Sequence, residues 1–160
     1  MREMLKFEEC YRRIDALVMA DSIYAGFTGD PAERKVDPEL MQGFLRFARD
    51  AAAGKKIMVI SHSQLVPETY ASTAETADFL LKDLGIEREE IDEPWADGWR
   101  CVSRTQKNGL YVYGFGGDTG ADHMKHLHNL WRLLAVAWGS HPPTNGKQRI
   151  KPPDGSQDRP

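Results

Sequence analysis

At 160 residues and 18.1 kDa the chain fits a single domain, the usual span being roughly 100–200 residues. Hydrophobic residues make up 41% and charged residues 28%, a balance that suits a packed core and excludes a disordered chain. A net charge of −3 and a pI of about 6.0 give no electrostatic case for binding nucleic acid or an anionic membrane surface, and no apolar run nears the roughly 20 residues of a membrane helix.

The opening Met-Arg-Glu-Met-Leu-Lys lacks the apolar stretch of a signal peptide, so a cytoplasmic protein is expected. Cys10 and Cys101 stand far apart and read as free thiols. Residues 2–13 predict a helix with Met4, Leu5 and Phe7 toward the core. Ile14 to Ala20 is nearly all apolar, as in a strand buried on both faces of a parallel sheet, and it ends in Asp21. The segment from Asp21 to Pro31 is rich in glycine and small polar residues and reads as a loop.

The next helix is punctuated by Asp37 as its cap, Pro38 at its first position and Gly54 beyond its end. Leu40, Phe44, Phe47, Ala48 and Ala51 recur at helical spacing. Lys56–Ile60 is a second buried strand, which completes a strand–helix–strand unit. Ser72-Thr73-Ala74-Glu75 has the capping-box pattern and opens a helix through Leu84, closed by Gly85. Trp99–Thr105 and Leu110–Phe115 flank Asn108-Gly109, a strong hairpin-turn signal. A last helix is expected from Asp122 to Trp138, with Leu127, Leu130, Trp131, Leu134 and Trp138 on one face. Residues 139–160 turn polar and proline-rich and are expected to form a disordered tail.

Chemistry concentrates where strands end. Asp21 directly follows a buried strand, at the carboxyl edge where open α/β sheets place their sites. The competing role for such an aspartate is to bond nearby turn amides. However, Asp15, at the other end of the strand, is the natural cap. His123 follows the turn Gly114-Phe115-Gly116-Gly117-Asp118-Thr119-Gly120 and starts a helix, so its ring can reach back over the sheet edge. A base steered by a carboxylate needs that position, whereas an idle histidine would simply face solvent.

His62 and Ser63 end the second strand. Ser63 is a poor nucleophile candidate, because a nucleophile elbow needs small residues two positions to either side and an immediate helix. Ser61 fits, but Leu65 does not, and the helix waits until Ser72. A polar lining of the site is its expected role. His123, His126 and His128 beside Asp118 and Asp122 suggest a metal, but His126 and His128 point about 200° apart on a helix, which is unlike ligands sharing one face. No metal and no cofactor are expected. Tyr111, Tyr113 and Phe115 alternate along a strand, which packing explains.

Acid and histidine in this order, each just past a strand, resemble the C-terminal half of an α/β-hydrolase of the serine esterase and lipase type. The likeness covers roughly residues 1–138, with Ile14–Ala20, Lys56–Ile60 and Leu110–Phe115 resembling the sixth, seventh and eighth strands. It implies a partial, mostly parallel sheet flanked by helices, with a β-hairpin before the C-terminal helix. Asp21 resembles the acid and His123 the base of a catalytic triad, with Ser22, Tyr24, His62 and Ser63 lining the site. Two features depart from the family. No Gly-x-Ser-x-Gly occurs in these residues, and the five strands that normally precede it, together with the oxyanion hole, are not represented. Many members carry the acid after the seventh strand, just ahead of a Val-Pro pair. Here Leu65-Val66-Pro67 is present but Ser63 occupies the acid's place, which favours Asp21, with Glu68 a poor second.

The expectation is therefore part of an ester or acyl hydrolase, truncated ahead of its nucleophile and inactive alone, acting on a small-molecule ester when completed. Its sheet edge at Ile14–Ala20 would be covered by a homodimer partner or by a complementing N-terminal segment. A complete small α/β binding or interaction domain without catalysis is the alternative. A metal-dependent hydrolase built on Asp21, Asp118, Asp122 and His123 is a more distant third.

Overall fold

Where apolar runs meet helical or strand punctuation, the chain folds as its pattern dictates. The computed structural model describes residues 1–95 and 98–137. Its strands are β1 (Ala16–Ala20), β2 (Ile57–His62), β3 (Glu89–Pro94), β4 (Arg100–Lys107) and β5 (Leu110–Phe115). The helices are α1 (Glu8–Arg13), α2 (Pro38–Ala52), α3 (Thr73–Leu84), α4 (Gly120–His128) and α5 (Leu130–Ala137).

One five-stranded sheet runs in the order β1-β2-β5-β4-β3. The three strands β1, β2 and β5 are parallel, with Val18 beside Val59 and Val59 beside Tyr111. The two remaining strands run antiparallel, so the sheet is mixed rather than mostly parallel. The cause is local. The turn at Asn108 (φ 50°) and Gly109 reverses the chain between β4 and β5, and β3 then adds outside β4. β3 was not expected, because Glu89-Glu90-Ile91-Asp92-Glu93-Pro94 offers a single apolar residue and no alternating apolar face.

Helices cover both faces of the parallel half. Leu17, Met19, Met58, Ile60, Leu110 and Val112 pack beneath α2 and α3, with Met41, Phe44, Phe47, Leu80 and Leu81 in the same core. On the opposite face, Leu133 of α5 packs on Val18, Ala20, Ile57, Val59, Tyr111 and Tyr113. The caps of α2 and α3 follow the sequence: Asp37 accepts from the Glu39 amide at 2.9 Å, and Ser72 and Glu75 form the reciprocal box.

Both ends of the described chain depart from expectation. Residues 2–13 break into a 3-10 turn at Met4–Lys6 and then α1; Leu5 and Tyr11 are buried, whereas Met4 and Phe7 face solvent, Phe7 being 64% exposed. The long C-terminal helix is two helices, interrupted at Asn129. There the Asn129 side-chain amide donates to the Lys125 carbonyl at 2.9 Å, the local competition that makes asparagine a helix interrupter. Across the break Leu133 of α5 is buried, while Leu127 of α4 and Trp131 of α5 are exposed. Trp138 and the tail at 139–160 lie outside the described residues.

Candidate functional site: a bridging aspartate at the parallel strand ends

The carboxyl ends of β1, β2 and β5 converge on one buried carboxylate. Asp21 takes a left-handed backbone (φ 46°), which aspartate tolerates better than most residues, and turns the chain out of β1. Its amide still donates to the Ser61 carbonyl of β2 at 2.8 Å, and the Tyr24 hydroxyl donates to its carbonyl. The side chain, only 6% exposed, thereby points back across the strand ends.

Asp21 Oδ2 accepts two hydrogen bonds, from Ser63 Oγ at 2.6 Å and from His123 Nδ1 at 3.0 Å. Burial works to raise this carboxyl, but the hydrogen bonds from Ser63 and His123 outweigh it and hold the group below its ordinary value. An ionised carboxylate only accepts, so His123 carries its proton on Nδ1, and in the neutral ring the lone pair lies on Nε2. About a third of the His123 side chain is open to solvent.

His123 is held by the turn that precedes it. Gly117 (φ 107°) leaves no room for a side chain, because a Cβ there would collide with the Asp122 carboxyl. Thr119 and Asp122 form a capping box that starts α4. Gln64 clamps this turn to the end of β2: its amide donates to the Gly117 carbonyl at 2.8 Å, and its Oε1 accepts from the Gly117 amide at 3.2 Å. Gln64 had no signal in the sequence beyond its place next to Ser63.

Two further histidines lie under the site, both buried and both pushed down to about 4. For His62, burial and then the neighbouring Arg88 charge lower it. Its Nε2 accepts from Arg88 at 2.6 Å, so Nδ1 donates to the Ser63 carbonyl at 2.9 Å. A Cβ on Gly114, the β5 neighbour of His62, would meet this ring and Ser103 Oγ. His126 is lowered mainly by burial, against the Asp21 charge. It contacts Ser61 Oγ through Nδ1 at 2.8 Å and stands edge-on to Trp99 and Phe115. Among the described residues, the buried Nε2 of His126 and Nε1 of Trp99 have no hydrogen-bond partner. Nothing in the sequence around His126 marked it as a buried residue.

Of the expected site residues, Asp21, Ser63 and His123 come together through one oxygen. Ser22 and Tyr24 instead line a neighbouring cleft of about 410 Å³ with Met19, Phe44 and Tyr70. The His62 side chain faces Arg88, behind Ser63. Asp118 is exposed, Asp122 is bonded to Thr119 and Lys125, and no group of three or more potential metal ligands occurs among the described residues. Ser63 gives its proton to Asp21 and makes no hydrogen bond to His123, which is not how a serine nucleophile is activated.

The described chain is thus an α/β protein with a mixed sheet and a carboxylate–imidazole pair at the ends of its parallel strands. Comparison of the chain with protein-family models, with curated protein sequences and with solved structures returns no match. No described helix is long and apolar enough to cross a membrane.

Proposed function

We propose that this chain supplies the acid and the base of a serine acyl-hydrolase relay, with the nucleophile carried by a segment outside these 160 residues. The observation that supports it is the bond of 3.0 Å between His123 Nδ1 and the buried Asp21 carboxylate, at the open ends of three parallel strands. Asp21 fixes the tautomer of His123 and stabilises the imidazolium that forms during reaction. His123 Nε2 takes the proton of the incoming serine hydroxyl as its oxygen attacks an ester carbonyl. The same nitrogen then returns that proton to the leaving alkoxide, and water repeats both steps on the acyl-serine. Ser63 holds the carboxylate in place.

The test is to read the genomic frame ahead of Met1 and to assay the protein that it encodes with a fluorophosphonate probe and a p-nitrophenyl ester. A Gly-x-Ser-x-Gly serine should label, and Asp21→Asn should lower turnover by about 10⁴-fold. An uninterrupted frame without such a serine, or labelling of Ser63 in the 160-residue chain, overturns the reading. The alternative is a non-catalytic binding domain, because the bond from Ser63 to Asp21 leaves the described residues without a serine beside the base. Absence of fluorophosphonate labelling in the protein that the full frame encodes would favour it.

A further inference from the structure

The outer edge of β1 carries an inference about the 160-residue chain by itself, since a completing segment of the kind proposed above would occupy the same edge. The Ile57 amide bonds to Asp15 and the Asp21 amide to Ser61, so the odd-numbered residues of β1 turn their backbone groups toward β2. Ala16, Val18 and Ala20 therefore turn theirs outward, and no described strand pairs with them. Ala16-Leu17-Val18-Met19-Ala20 has no charge, no proline and no bulge, three of the devices that keep edge strands from pairing. The opposite edge, β3, has all three: four acidic residues, Pro94 and a register break between Glu90 and Glu93.

We infer that the β1 edge pairs antiparallel with β1 of a second copy of this chain, about a two-fold axis at Val18. The segment is self-complementary in that register, with Ala16 opposite Ala20 of the second copy, Leu17 opposite Met19 and Val18 opposite itself. The outward groups of Ala16, Val18 and Ala20 then all face one another, as hydrogen-bonded antiparallel pairs require. Val18 and Ala20, half-buried in the single chain, would meet across the axis on the α5 face, whereas Leu17 and Met19 are already covered within each copy.

The helix above the edge fits the same operator. α5 lies over β1 and β2, and strands are about 4.8 Å apart, which places α5 about 5 Å from the axis. Its two copies then lie about 10 Å apart, at the upper end of ordinary helix–helix packing. That contact would cover apolar surface the single chain leaves open: Trp131 is 46% exposed, and Leu130 and Leu134 are only half-buried. The resulting sheet ends on both sides in the charged β3 strand, so further addition is blocked.

The experiment is light scattering of the 160-residue chain from micromolar to hundred-micromolar concentration, with amide exchange measured in parallel. A dimer of twice 18.1 kDa is expected, with Val18 and Ala20 amides that become protected as the dimer forms. Ala16→Lys and Trp131→Glu change exposed positions, so the melting of the monomer should hold while each weakens association by more than about tenfold. A monomer at every concentration overturns the inference. So does a dimer that neither variant weakens, or one whose Val18 and Ala20 amides exchange freely. A monomer whose Val18 amide is protected at all concentrations overturns it in favour of a strand from the same chain.

Discussion

In the parallel half of the sheet, β1, β2 and β5 are apolar on both faces and helices lie above and below them. In the antiparallel half, β3 is exposed almost throughout, and β4 buries only alternate residues, Cys101, Ser103 and Thr105, three residues with small or polar side chains. There the apolar content shrinks to a small cluster in which Trp99 and Phe115 stack at 3.6 Å, while Arg104 bridges Glu89 and Glu93 on the surface. Burial under helices supplies stability and a dry environment in which His62 and His126 are held neutral, while hydrogen bonds keep the Asp21 carboxylate below its ordinary value. Charge supplies a protected edge. The site lies in the first half because only there do strand ends combine low solvent access with a common direction.

The largest expected effect separates the halves by stability. Ile60, fully buried in β2, should cost about 2–5 kcal/mol as Ile60→Ala, through lost transfer energy and the cavity left behind. Ile91→Ala on β3 removes a half-buried side chain at the rim of the Trp99 cluster and should cost clearly less. Urea midpoints at unchanged m-value measure both. Equal losses would mean that the antiparallel strands contribute a core as large as that of the parallel ones.

The two halves also differed in how readily they could be read from sequence. Capping residues and apolar periods gave α2, α3, β1 and β2, because Asp37, Ser72, Gly54 and Gly85 act locally and the buried strands are apolar runs. Asn108-Gly109 announced the β4–β5 hairpin for the same reason. β3 was invisible because its strand state comes from pairing with β4, and its acidic residues carry no pattern of their own. Asp21 and His123 were legible from order alone. The other contact to that carboxylate, Ser63, was named as lining, but its bond to Asp21 depends on β2 running on to His62, two residues beyond the expected end. The burial of His126 depends on Trp99 and Phe115 folding over it, a long-range event no local window contains.

A smaller effect is expected from acid, and it should arise in the parallel half. His62 and His126 are held neutral down to about 4, whereas in the unfolded chain they protonate near 6.5. Between those values the unfolded chain binds more protons, so stability is fully present above about pH 6.5 and declines as pH falls toward 4. Asp21, lowered from its ordinary 3.8, has its stabilisation in place across that window and adds no slope to it. His126 faces Asp21 just past β1, Ser61 and His62 of β2, and His123 and Asp122 on its own helix; the Asp21 charge offsets only part of its burial, and His62 lowers it further. Urea midpoints measured from pH 7.5 to 4.5 should fall steadily, and His126→Gln should remove about one proton's worth of that slope. An unchanged slope in His126→Gln would place the titration elsewhere.

The smallest effect is expected where the sheet relies on charge. Arg104 lies on β4 and reaches Glu89 at 2.9 Å and Glu93 at 2.8 Å, with all three side chains 40% or more exposed. Exposed pairs of this kind contribute about 0.2–1 kcal/mol, and salt screens them. Arg104→Ala should therefore lower the urea midpoint only slightly, and the difference should shrink in molar salt. The variant also leaves Glu89 and Glu93 unneutralised on the edge, so β3 becomes more repulsive to a further strand even as it becomes slightly less stable. Stability and edge protection thus respond in opposite directions to one substitution. A loss in Arg104→Ala as large as that in Ile60→Ala would instead make the ion pairs a structural core in their own right, and the division between a buried half and a charged half would no longer hold.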